Sequence, residues 1–205
     1  MAGTTHTVSS PNGETVIAIS VASGRATYEL LHRGHAVMEG GLGIDREDAS
    51  FVDGLTVVGS SEPAFVIHDD QLLHGKRLAN YDTATEVSLA LENASGLPIE
   101  LVARAYDGAV AFRYRFPGGT DDGARTITDE ATSFGFINEG LAWMQPTQEA
   151  SIHSPAYEAL HADGIVIGTA SDGPAWNLPA LFRSGDRWML LAESDLDGSY
   201  FGAHL

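Results

Sequence analysis

Cysteine is missing from all 205 residues, which removes disulfides and thiolate metal sites. Basic residues are scarce: 11 Lys and Arg stand against 28 Asp and Glu, for a formal net charge of −17. That balance excludes nucleic acid and anionic membrane surfaces as partners, because both need clustered positive charge. No window approaches the roughly 18 uninterrupted apolar residues of a membrane-spanning helix. Helical periodicity over three turns is absent too, and only 154–160 (SPAYEAL), with Pro near its start, suits a helical turn. There is no HExxH, no GxSxG, no P-loop and no GxGxxG after a strand. The opening MAGTTHTVSSPNG has neither the charged nor the apolar region of a signal peptide, although removal of a leader would leave the same start.

What remains is apolar content of 43%, enough for a core, with 23 Gly and 8 Pro to turn the chain often. The clearest signal is LVARAYDGAVAFRYRF, from Leu101 to Phe116. Asp107-Gly108 is a two-residue hairpin turn, since both residues tolerate positive φ. Pairing outward sets Ala105 opposite Val110, Ala103 opposite Phe112 and Leu101 opposite Tyr114, all on one face. Upstream, residues 1–7 are expected to be disordered. Glu14–Val21, Ala26–Leu31 and His35–Met38 then read as a meander with turns at Ser23-Gly24 and Arg33-Gly34. Glu39–Ile44 (EGGLGI) looks too Gly-rich for regular structure and suited to close backbone approach. Further short strands follow to Arg187–Ala192, about a dozen in all. The expectation is one all-β domain over 8–205, a large sandwich of two sheets packed face to face.

Candidate chemistry is sparse. His32 and His35 flank a hairpin tip, and the other histidines are scattered without a triad-like carboxylate. Glu193–Asp197 (ESDLD) follows an apolar strand, and its alternating acids superficially match a calcium loop. Position twelve would be His204 rather than a bidentate Glu, so an EF-hand is rejected. On its own, Glu193 reads as a solvated or capping carboxylate at a strand end. Among the tryptophans, Trp188 in RWMLL reads as core and Trp143 as a structural corner. Trp176, between Pro174 and Pro179, reads as a loop residue with an exposed face; with Trp143 it is a candidate for stacking on sugar rings.

Several stretches together resemble the N-terminal domain of glycoside hydrolase family 97. They are Ser10-Pro11-Asn12-Gly13, Leu42-Gly43-Ile44, the Arg104–Tyr114 hairpin with an extra Ala109, Ala142–Pro146, Tyr157-Glu158 and Leu190–Glu193. The likeness spans nearly the whole chain and implies a sandwich of the galactose-mutarotase-like super-sandwich type. It implies that the catalytic carboxylates lie in a (β/α)₈ barrel beyond Leu205, absent from this chain, and that the domain alone is inactive. It further implies a calcium-dependent, exo-acting α-glycosidase, either glucosidase or galactosidase, to which this domain lends Glu193 as one calcium ligand. Ser194 and Asp195 depart from the small apolar residues usual there. Glu158 would be structural or interdomain. The implied partners are the chain's own catalytic barrel and α-linked sugars, in an extracytoplasmic setting. Two rival readings are a free-standing carbohydrate-binding module built on Trp176 and Trp143, and a mutarotase-like enzyme needing a His and a Glu in one groove. One flank, including Leu42 and the 190s segment, should expose apolar surface beyond what a monomer shows.

Overall fold

The computed structural model describes residues 3–74, 76–117, 125–149, 152, 159–194, 196 and 202–205, and it contains seventeen strands and no helix among them. The chain divides into two compact units, Met1–Gly135 and Phe136–Leu205.

In the first unit, β1 (Thr4–Ser9), β2 (Thr15–Ala22), β3 (Arg25–His32) and β4 (His35–Leu42) form an antiparallel meander in chain order. The expected disorder of residues 1–7 gives way to β1, whose Thr4–Ser9 pair residue by residue with Val21–Val16. β2 alternates strictly, with Thr15, Ile17, Ile19 and Val21 buried and their neighbours half-exposed. Its period of two fixes the register, because a one-residue slip would turn every apolar group outward. The β3–β4 turn puts Arg33 and Gly34 at φ of 52° and 76°, the paired positive values of a tight hairpin.

β4 does not stop at Met38 but continues through Glu39-Gly40-Gly41 to Leu42. Gly here serves close packing instead of irregular backbone. A Cβ on Gly40 would run into the Ser133 carbonyl and the Tyr28 ring.

A three-stranded sheet joins β5 (Ile44–Arg46), β6 (Ala49–Ser50) and the later β12. The second large sheet contains β7 (Thr56–Ser60), β8 (Ala64–Gln71), β9 (Ala79–Glu92), β10 (Pro98–Tyr106) and β11 (Ala109–Arg115), in the order β11-β10-β9-β7 with β8 also on β9. Asp69 and Asp70 lie within β8. The β10–β11 hairpin has the expected register: Ala105 faces Val110, Ala103 faces Phe112 and Leu101 faces Tyr114. Leu101, Ala103 and Ala105 are buried, as are Leu89 and Leu91 of β9. The Tyr28 ring on β3 lies 5.7 Å from that of Phe112 on β11, so the two sheets meet face to face as a sandwich. Phe51, Ile44 and Leu55 fill one end of this core, where the remaining void of about 10 Å³ is too small for an ordered water.

β12 (Ile127–Glu130) closes the small sheet, and β13 (Gly135–Phe136) falls at the junction of the units. The second unit is a four-stranded antiparallel sheet in the order β15-β14-β16-β17, from β14 (Gly140–Pro146), β15 (Ala162–Val166), β16 (Trp176–Ser184) and β17 (Arg187–Leu191). One face carries a small core of Ala142, Met144, Trp176, Ala180 and Phe182. Phe136 stacks on Phe182 at 4.5 Å between ring centres, and Leu191 and Leu205 pack at the margin. Residues 154–158 of the expected helical turn, including Tyr157 and Glu158, lie outside the described residues.

Candidate functional site

Glu193 stands two residues beyond the end of β17, half-buried. Its Oε1 accepts a 2.9 Å hydrogen bond from the Ala203 backbone N–H. Residues 202–205 run back along the starting edge of β16. Trp176 N–H donates to Leu205 O at 2.8 Å, Leu205 N–H donates to Trp176 O at 2.9 Å, and His204 bridges to Asn177. No other hydrogen bond engages Glu193 among the described residues. Asp195 and Asp197 lie outside the described residues.

A carboxylate oxygen is the hard donor that calcium prefers, yet the ion takes about 6–8 oxygens. Among the described residues no group of three His, Cys, Asp or Glu could enclose a metal. The Glu193 carboxylate could by itself supply at most two of those oxygens.

The tryptophans exchange places relative to the sequence reading. Trp176 is 8% exposed, opens β16 within the small core, and donates its Nε1–H to Thr169 O at 2.9 Å. Its ring has no open face for a sugar. Trp188, expected in the core, is 56% exposed. The cause is parity: in β17 Met189 and Leu191 point to the core side, which sends Trp188 and Leu190 outward. An all-apolar strand contains no sequence cue to which residues point in. Trp143 lies on the same outer face, its ring 5.0 Å from Trp188 and its Nε1–H bonded to Asp163. The Arg183 guanidinium sits 5.8 Å from the Trp188 ring centre. With exposed Leu190 and Val166, this face is apolar and aromatic. Leu42, placed on the same flank by the sequence reading, is buried in the first unit.

The first unit has two polar features. On the outer face of β1–β4 a groove of about 560 Å³ is lined by Thr5, Ser20, Thr27 and the cross-strand pair Glu29 and Glu39. No histidine lines it, so a mutarotase-like His–Glu pair is not assembled there. Elsewhere, Arg104 donates to Glu86 at 2.5 Å and to His68 Nε2 at 3.0 Å. An arginine can only donate, so His68 Nε2 is the acceptor, and the histidine completes a structural ion pair.

A buried phenol chain braces the two sheets. Gly43 N–H donates to the Tyr114 hydroxyl, which donates to Thr132 Oγ1, which in turn donates to Glu130, each at 2.8 Å. Burial pushes the Tyr114 phenol up to about 12. Burial raises Tyr28 as well, and its hydroxyl donates to Ser133 O.

Among the described residues the fold is all-β, and no group of three His, Cys, Asp or Glu gathers into a cluster. The family model for the glycosyl-hydrolase 97 N-terminal domain matches residues 8–205, and the chain belongs to that family. It is 28% identical over 208 residues to a probable retaining alpha-galactosidase of Streptomyces bingchenggensis (strain BCW-1), covering 98% of this chain and 30% of that protein. A solved beta-arabinopyranosidase is similar with TM-score 0.88 and 25% identity over 97% of this chain and 33% of its own. A glycoside hydrolase family 97 enzyme from Pseudoalteromonas sp. strain K8, in complex with panose, shares the fold at TM-score 0.73 and 22% identity, over 88% of this chain and 27% of its own. The chain thus spans about a third or less of these relatives.

Proposed function

We propose that this chain is the non-catalytic β domain of an exo-acting, calcium-dependent α-glycosidase, docking on a catalytic (β/α)₈ barrel and lending it Glu193. The observation that carries this reading is the family match over 8–205 in a chain that spans only 30% of its α-galactosidase relative. The outer face of β14–β17, with Trp188, Leu190 and Val166 exposed, is the surface this reading assigns to the barrel. Glu193 would supply one of the calcium oxygens, and the barrel would supply the others. When bound, the ion polarises and orients groups beside the sugar. The paired carboxylates that cleave the glycosidic bond belong to the barrel.

The parent enzyme takes galactose-configured sugars. Two relatives favour this, an alpha-galactosidase matched over 98% of this chain and a beta-arabinopyranosidase at TM-score 0.88, whereas the enzyme solved with panose, a glucose oligosaccharide, is structurally less similar at 0.73. β-L-Arabinopyranose is α-D-galactose without its C6 hydroxymethyl group. An extracytoplasmic location accords with a polysaccharide-derived substrate and with the strongly acidic composition.

The test uses this chain joined to its catalytic portion. Calcium should activate hydrolysis of p-nitrophenyl α-galactoside well above the α-glucoside, and Glu193→Gln should raise the calcium needed for half-activation by at least about tenfold, the scale expected for losing an anionic oxygen ligand. The 205-residue chain alone should give no turnover. Activity of the isolated chain, or a calcium requirement unmoved by Glu193→Gln, overturns the reading.

A further inference from the structure

We propose that Glu193 is a clamp as well as a ligand: through Oε1 it fastens the returning chain at Ala203 to the sheet edge, and the same bond orients the carboxylate. The sheet's edge explains why a clamp is needed. β17 pairs with Ala180–Ser184 of β16, and residues 204–205 resume antiparallel pairing on Trp176 and Asn177 farther along the strand. Glu193 follows the first paired stretch and Ala203 precedes the second, ten residues apart in sequence, and a 2.9 Å bond joins them.

Among the described residues the Ala203 N–H has no strand partner, and a side-chain acceptor takes the place of a ladder bond. A carboxylate is the stronger choice, because a charged acceptor shortens and strengthens the bond. The contact also fixes the carboxylate's rotation. The bond limits how the carboxylate can turn, so its aim is set by the same contact that holds Ala203. The part of this inference that concerns the ion rests on the calcium reading above, whereas the clamp does not.

Amide hydrogen exchange of the 205-residue chain, followed by NMR in the presence of a chelator, separates the two roles. Glu193→Ala should speed exchange at Ala203 and Leu205 about tenfold or more, as expected for losing one charge-assisted bond at a fraying edge. Glu193→Gln retains a side-chain oxygen acceptor and should keep most of that protection while abolishing the anionic ligand. Ala203→Pro removes the donor and leaves Glu193 intact, so it should expose Leu205 to the same degree; this arm stands even if Glu193→Ala disturbs the second unit more widely. Unchanged protection in Glu193→Ala, or equal losses in the Gln and Ala variants, overturns the clamp. Because calcium is absent throughout, that failure is distinct from failure of the ligand reading, which the calcium dependence of the joined enzyme reports.

Discussion

The two units solve the same problem to different degrees. In Met1–Gly135 the inner face of each large sheet is covered by the other, and the largest fully buried side chains, among them Phe51, Ile17, Ile19, Leu89 and Leu101, all belong to it. In Phe136–Leu205 a single sheet has one covered face with a core of five buried residues, and its other face exposes Trp188, Leu190 and Val166. The smaller sheet thus leaves large apolar side chains exposed on one face, and it is the unit that holds Glu193.

The same substitution placed in each unit tests that contrast. Leu101→Ala removes a side chain that is 1% exposed and enlarges the small void beside it. It should cost about 3 kcal/mol, within the range for buried Leu to Ala changes. Leu191→Ala, at the half-buried margin of the second core, should cost about 1 kcal/mol. Urea unfolding of both variants gives the comparison. Equal losses would show that the second unit is packed as tightly as the first.

A smaller effect sharpens the account of what braces the sandwich. Tyr114→Phe deletes the hydroxyl that serves Gly43 N–H and Thr132, and it should destabilise the chain by about 1–2 kcal/mol at pH 7. The phenol holds its proton up to about 12 when folded, against 10.0 ordinarily. Its folded value is raised, so its contribution is intact below pH 10 and is lost as pH climbs from 10 to 12. Wild type should therefore lose stability over that window, and Tyr114→Phe should lose less, bringing the two curves together. Parallel curves from pH 9 to 12 would assign the alkaline loss elsewhere, with Tyr28 the next group to replace.

How much of this was legible beforehand follows from which signals are local. The Leu101–Phe116 hairpin could be paired residue by residue because Asp107-Gly108 fixes the turn and the flanking alternation fixes the face. β4 was cut short because Gly40 and Gly41 look like breakers, and the reason they are tolerated, Ser133 and Tyr28 pressing on the backbone, is remote in sequence. β1 was missed because Thr4–Thr7 are polar and their order comes from β2. Glu193 was visible as an acid at the end of an apolar strand. Its partner was not, since a backbone N–H ten residues away leaves no mark in side-chain pattern. Trp176 and Trp188 were interchanged for a related reason: flanking prolines suggested a loop, and an unbroken apolar strand gave no parity.

That interchange supplies the smallest expected effect and the sharpest reading of the outer face. Trp188→Ser replaces a ring that is 56% exposed and touches chiefly Trp143 and Arg183. In the 205-residue chain it should change stability by no more than about 0.5–1 kcal/mol, since little apolar area returns to water and one aromatic contact is lost. If the face docks against the barrel, the same substitution in the joined enzyme desolvates nothing useful and leaves a gap in a packed interface. The enzyme should then unfold in two separate steps or lose several degrees in Tm. A large loss in the isolated chain would mean that Trp188 is core after all; no loss in either setting would mean that this face remains open to solvent in the whole protein, and the smaller sheet would be a finished surface.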